Sequence, residues 1–182
     1  MAYIDLGLDE TRHPGITGLL AYRRETGRAL EALADALLVA PNSLSRGERE
    51  LIAAHVSGLN ECTFCRNSHS AFAAAQLDGG MPLVEQVRAD PAGAPVSPKL
   101  RALLRIAGAV QNDGRSVTPE LVDAARAEGA TDTEVHDTVL IAAAFCMFNR
   151  YVDGLGTLAP GEPGAYEASV PFVVAHGYSS EG

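Results

Sequence analysis

The sequence predicts an all-α fold in a single domain. Apolar residues recur at three- and four-residue spacings along most of the chain, which places them on one face of a helix. Several of these runs are preceded by residues with helix-capping spacing or by a proline at the first helical position. The composition is 47% hydrophobic but only 5% aromatic, with no Trp. A core must then be built from Ala, Leu, Val and Ile, small side chains that suit closely packed helices. A chain of 182 residues can bury such a core in one domain.

Pro14 and Gly15 punctuate an irregular start. Over residues 16–38, Leu19, Leu20, Leu30, Leu33, Leu37 and Leu38 follow helical spacing, with Gly27 weakening the middle. One bent helix or two shorter ones fit this stretch. Pro41-Asn42 forms a loop. Ser45 and Glu48 have the capping-box pattern and open a helix to about Ser57. Gly58-Leu59-Asn60 breaks it. A second helix starts at Asn60 or Glu61 and runs through Ala75, with Gly79-Gly80 beyond its end. A short helix covers 82–87, and the prolines and glycine of 90–98 make a loop. Helices follow over 99–110, 119–128 and 133 to about 155. Thr118 before Pro119 caps the second of these, and Thr131 or Asp132 caps the third. The near-continuous apolar run 139–148 reads as a buried helix, part of it buried between subunits. From Ala159 onward the tail has no strong periodicity, so the core is expected over about 14–158 and an irregular tail over 159–182.

The formal net charge is −9, Lys99 is the only lysine, and no basic run exists. Non-specific binding to nucleic acid or to an anionic membrane needs positive fields and is disfavoured. Three cysteines, Cys62, Cys65 and Cys146, are an odd count in a chain that is not small, which argues against a secreted disulfide scaffold. The first eight residues lack the basic and apolar regions of a signal peptide. No apolar stretch reaches the roughly 18 residues of a membrane span. A reducing cytoplasm is the expected compartment.

The chemistry concentrates between Glu50 and His69. On a helix advancing about 100° per residue, Cys62, Cys65 and His69 point within roughly 60° of one direction. Cys62 falls in the first turn, where unpaired backbone N–H groups favour a thiolate. His69, one turn beyond Cys65, can accept its proton. Glu50 lies on the preceding helix, which turns back through Gly58 and can bring its carboxylate to the thiol–imidazole group. A thiol must lose its proton to attack, and this arrangement supplies an acceptor. A Cys-x-x-Cys pair also permits one sulfur to become a sulfenic acid and the other to condense with it.

Blander readings stand beside this one. Cys62 and Cys65 can be two small buried hydrophobes, or ligands of a zinc ion with His69 and either Glu50 or His55. Structural zinc cysteines usually sit on loops, which weighs against the metal, and no metal or cofactor is expected. His55 points to a different helix face from Glu50 and suits a structural role. Cys146 suits an inert core thiol. Asn149 and Arg150 either end their helix beside a surface or interface ion pair, or position the relay or line a substrate mouth. Glu120, Asp123, Glu128, Asp132, Glu134 and Asp137 read as acidic surface.

The pattern Glu50-x11-Cys62-x2-Cys65-x3-His69 resembles the active-site motif of the alkylhydroperoxidase D-like (AhpD-like), or carboxymuconolactone decarboxylase-like, superfamily. Residues 44–52, Ser57-x2-Asn60 and the stretches 136–141 and 148–150 resemble flanking segments of its peroxidase-related branch, so the likeness covers roughly 14–157. It implies an all-α fold that oligomerises through its helices, as a dimer, trimer or hexamer, and thiol-dependent reduction of organic hydroperoxides or hydrogen peroxide. By that resemblance Cys65 is the deeper, peroxide-attacking sulfur. Cys62 is the more exposed resolving sulfur that meets the reductant, and Glu50 and His69 relay the proton with a water between them. A dithiol donor such as a lipoyl carrier or a thioredoxin-like protein would restore the pair. The chain departs from the best-studied members at Phe64, where they carry a second histidine. Two other functions fit the same residues: a redox-sensing or structural oligomer with a slow dithiol switch, and a small-metabolite acid–base tailoring enzyme using Glu50 and His69.

Overall fold

In the computed structural model, which describes residues 1–162 and 164–179, the chain forms ten α-helices and one 3-10 turn, and no strand occurs among the described residues. The helices are α1 (Ile16–Tyr22), α2 (Arg24–Leu38), α3 (Arg46–Leu59), α4 (Thr63–Ala74), α5 (Gly80–Ala89), α6 (Pro98–Asn112), α7 (Pro119–Ala127), α8 (Asp132–Gly154), α9 (Gly164–Glu167) and α10 (Val170–His176). The 3-10 turn at Gly114–Ser116 joins α6 to α7.

Local chemistry sets most of the boundaries. The Ser45 hydroxyl accepts the Glu48 N–H, and the Glu48 carboxylate accepts the Ser45 N–H, so two orphan donors of α3 are satisfied reciprocally. Thr131 and Glu134 do the same for α8. Ser97 and Thr118 cap α6 and α7, each followed by proline at N1. The first helical stretch breaks at Arg23 (φ −131°, ψ 85°) rather than at Gly27. Gly27 lies inside α2 where α1 crosses it. A Cβ at that position would collide with the Leu20 carbonyl oxygen, so the crossing needs glycine there.

Helix α3 runs through the centre and packs against α4, α6 and α8. Leu51, Ile52, Ala53 and Val56 from α3 meet Leu103, Leu104 and Ile106 from α6 and Ile141 and Phe145 from α8, all buried. The apolar run on α8 is only half buried as a single chain: Leu140 and Met147 remain 40% and 43% exposed on one stripe. Asn149 does not end this helix, which continues to Gly154. Among the described residues no helix is long and apolar enough to cross a membrane.

Two expectations are corrected by tertiary packing. Glu134 is not acidic surface but 1% exposed. It accepts from Lys99 Nζ at 2.8 Å and Ser43 Oγ at 3.0 Å while serving its own helix cap. Burial pushes its pKa up, but the bonds from Lys99, the Thr131 N–H and Ser43 outweigh that and hold it at about 2. The tail, expected to be irregular, contains α9 and α10 and returns to the body. Arg46 on α3 donates to the carbonyls of Val174 and Val173, at 2.9 and 3.1 Å. Tyr166 and Val173 are buried by this return.

Candidate active site

The hairpin of α3 and α4 creates the site. Residues 60–62 make the turn, and its left-handed residue is Glu61 (φ 59°), not a glycine. The turn leaves Cys62 as the extended N-cap of α4 (φ −74°, ψ 99°) rather than inside its first turn. Cys65 and His69 follow on one face of α4, one turn apart. Glu50, on the facing side of α3, is completely buried.

Glu50 and His69 meet directly, not through the expected water, because the α3–α4 hairpin brings the two side chains within hydrogen-bond distance. His69 Nδ1 lies 2.6 Å from Glu50 Oε2, and the opposite carboxylate oxygen accepts from the Tyr178 hydroxyl at 2.5 Å. Among the described residues no hydrogen bond occupies His69 Nε2, so the Nδ1–H tautomer leaves that nitrogen as a proton acceptor. The imidazole is boxed by aromatic rings. Phe145 and Phe72 meet it edge-on at 4.6 and 5.5 Å, and Tyr178 stacks at 6.0 Å between centroids.

The Cys62 and Cys65 sulfurs are 3.4 Å apart and both thiols are free. Disulfide closure would bring them to about 2.05 Å. The Cys62 thiol and burial together push the Cys65 pKa well above the ordinary thiol value, partly opposed by the nearby Asn149 amide. The expected difference in exposure is absent. Cys62 is 0% exposed and Cys65 3%, because Phe64, Val152 and Tyr166 close over the pair.

Cys65 and His69 open onto a cavity of about 410 Å³. Its walls are mostly apolar and include Ile16, Leu20, Leu30, Phe72, Phe148 and Val173. Cys62 does not line it. The Arg24–Glu31 ion pair, with N···O 2.8 Å, is one polar part of the wall. Phe64 also lines the cavity. Its ring packs against the backbone of Gly15, where a Cβ would run into the ring, and lies 5.8 Å from the Tyr166 ring.

The carboxymuconolactone decarboxylase family model matches residues 24–77, the segment that holds Glu50, both cysteines and His69. No curated protein matches the chain significantly. Solved structures are similar over most of their lengths, two of them as follows. One, from Ralstonia eutropha JMP134, is described as an alkylhydroperoxidase AhpD core and an uncharacterized peroxidase-related protein. It is 27% identical with a TM-score of 0.76, covering 90% of this chain and 93% of its own. The other, an uncharacterized peroxidase-related protein from Silicibacter sp. TM1040, is 26% identical with a TM-score of 0.75, covering 85% and 78% respectively.

In fold, and in sequence over residues 24–77, the chain is similar to the AhpD-like superfamily.

The four residues singled out by spacing all lie on the α3–α4 hairpin, as two close pairs, Glu50 with His69 and Cys62 with Cys65. His55 lies away from them and contacts the backbone at Leu104, and burial lowers its pKa. No group of three or more His, Cys, Asp or Glu side chains among the described residues is arranged to hold a metal ion. Cys146 stays outside the cluster, with Asn60 Nδ2 3.6 Å from its sulfur. Asn149 donates to Ser57 Oγ at 3.1 Å and accepts from Asn60 at 2.8 Å, so it braces α8 against α3 beside Cys65. Tyr178 is the site residue that spacing did not reveal. It lies 128 positions from Glu50, and its only sequence signal is a lone tyrosine after Gly177 in the tail.

Proposed function

We propose that this AhpD-like protein is a thiol peroxidase that reduces an organic hydroperoxide or hydrogen peroxide. The observation that carries the reading is a pair of free thiols, 3.4 Å apart, on the same helical hairpin as a buried carboxylate–imidazole pair, with Cys65 and His69 opening onto one cavity. The raised Cys65 pKa means that its proton must leave as the sulfur attacks, which requires a base within reach. His69 Nε2 takes that role, and Glu50 on Nδ1 stabilises the imidazolium that forms.

Cys65 Sγ attacks the distal oxygen of the hydroperoxide and the O–O bond breaks. His69 returns the proton to the departing alkoxide, which leaves as an alcohol, or as water from hydrogen peroxide. Cys65 is then a sulfenic acid. The Cys62 thiol attacks the Cys65 sulfur, its proton joins the departing hydroxide, and water leaves as the disulfide forms. A dithiol donor, of the lipoyl-carrier or thioredoxin-like kind, supplies two electrons and two protons to restore both thiols. The mostly apolar wall favours an organic hydroperoxide over hydrogen peroxide.

The burial of Cys62 beneath Tyr166 favours a second reading, a slow dithiol switch in a redox sensor. Peroxide consumption with a dithiol donor separates the two. Sustained turnover that disappears in Cys65→Ser supports the peroxidase. Loss of two thiols without turnover, under several dithiol donors, supports the switch. Activity toward a small metabolite that survives replacement of both cysteines would sink both and leave an acid–base enzyme.

A further inference from the structure

We infer that Tyr178 is a positioning residue for the Glu50–His69 pair, which makes the C-terminal segment part of the active site. The inference rests on the proposed relay role of that pair.

Glu50 is a fully buried carboxylate with two hydrogen-bond partners among the described residues, His69 on Oε2 and Tyr178 on Oε1. A buried carboxylate oxygen without a donor is costly. The phenol satisfies Oε1 and leaves Oε2 to hold the imidazole with Nε2 free. The tyrosine ring also fixes the imidazole plane, stacking on it at an interplanar angle of 30°.

The phenol is held from three directions. The N–H groups of Tyr178 and Ser179 donate to the two carboxylate oxygens of Asp35 on α2, at 2.7 and 2.9 Å. Gly177 turns the chain at φ +84°, where a Cβ would lie 2.5 Å from Asp35 Oδ1. Arg46, one helical turn before Glu50, grips the carbonyls of Val173 and Val174. The same face of α3 therefore carries both the anchor of the segment and the carboxylate that the segment serves. Burial and the neighbouring Glu50 push the Tyr178 pKa well above the ordinary phenol value. It stays protonated and acts as a fixed donor, so it positions the relay without being a member of it.

The other charged or titratable groups facing the pair are Arg46 and Arg49 from α3, Asp35 from α2, the Cys65 thiol on α4, and, across the cavity, His13 and the Arg24–Glu31 pair. All of them are retained in Tyr178→Phe, which also keeps the ring. With Oε1 bare, the state with neutral His69 and ionised Glu50 is destabilised relative to the state with one more proton. The midpoint of the pair's protonation must then rise.

Nuclear magnetic resonance titration of the His69 ring nitrogens in the full chain tests this without peroxide. In Tyr178→Phe the midpoint is expected to rise by about one pH unit or more, the scale of a hydrogen bond to a buried charge. When the same substitution is added to Glu50→Gln, it should produce no such rise. An unchanged midpoint in the single variant, or an equal rise in the double variant relative to Glu50→Gln, overturns the assignment. Should Tyr178→Phe fail to fold, Gly177→Ala decides. It keeps the phenol and every charge but displaces the anchor of the segment, and is expected to raise the midpoint by a smaller amount; no rise overturns the proposal. Failure of the peroxidase reading would appear separately, as absent turnover in the wild-type chain with this titration unaffected.

Discussion

His69 Nδ1 sits 2.6 Å from Glu50 Oε2, joining a carboxylate with no solvent exposure on α3 to an imidazole on α4. The 19 positions that separate them span the α3–α4 turn, which Cys62 closes and Cys65 follows. General acid–base catalysis contributes roughly 10²- to 10⁴-fold. His69→Asn should therefore slow peroxide-driven oxidation of Cys65 by about 10²-fold or more, measured by stopped-flow loss of thiol. A variant as fast as wild type would remove the base from the mechanism.

Cys62 is sealed by Tyr166, whose hydroxyl donates to the Pro160 carbonyl at 2.9 Å. Tyr166→Ala should open this cover. The alkylation rate of Cys62, followed by mass spectrometry of the tryptic peptide, is expected to rise about tenfold. Protection unchanged from wild type would mean that other groups close the pair.

Gly177 combines a left-handed φ of +84° with a close approach to Asp35. Gly177→Ala introduces backbone strain of about 1–2 kcal/mol together with a clash. It should lower thermal stability and raise hydrogen exchange across α10, leaving α6 and α7 unaffected. Equal exchange in wild type and variant would refute the clamp.

Glu134 supplies a pH-dependent contribution. Its folded pKa of about 2 lies below the ordinary 4.5, so its stabilisation is fully present above about pH 4.5 and is lost as pH falls towards 2. The shift corresponds to a stabilisation of the order of 3 kcal/mol. Glu134→Gln should lose most of this at pH 7 and show a flatter decline in Tm between pH 4.5 and 2. A decline as steep as that of wild type would assign the acid sensitivity to other carboxylates.

Neighbouring residues suffice to specify the all-α class, the capped starts of α3, α6, α7 and α8, and the four-residue spacing that puts Cys65 and His69 on one face of α4. Periodicity and capping act within one or two helical turns, so a short stretch of chain carries them in full. Three other features arise only when the helices pack: Cys62 is as buried as Cys65, Glu134 is an interior carboxylate, and Tyr178 reaches Glu50. Each depends on segments distant in the chain, 128 positions apart for Tyr178 and Glu50. Their meeting is set by how the helices cross and how the tail folds back, and no spacing rule within one element encodes that.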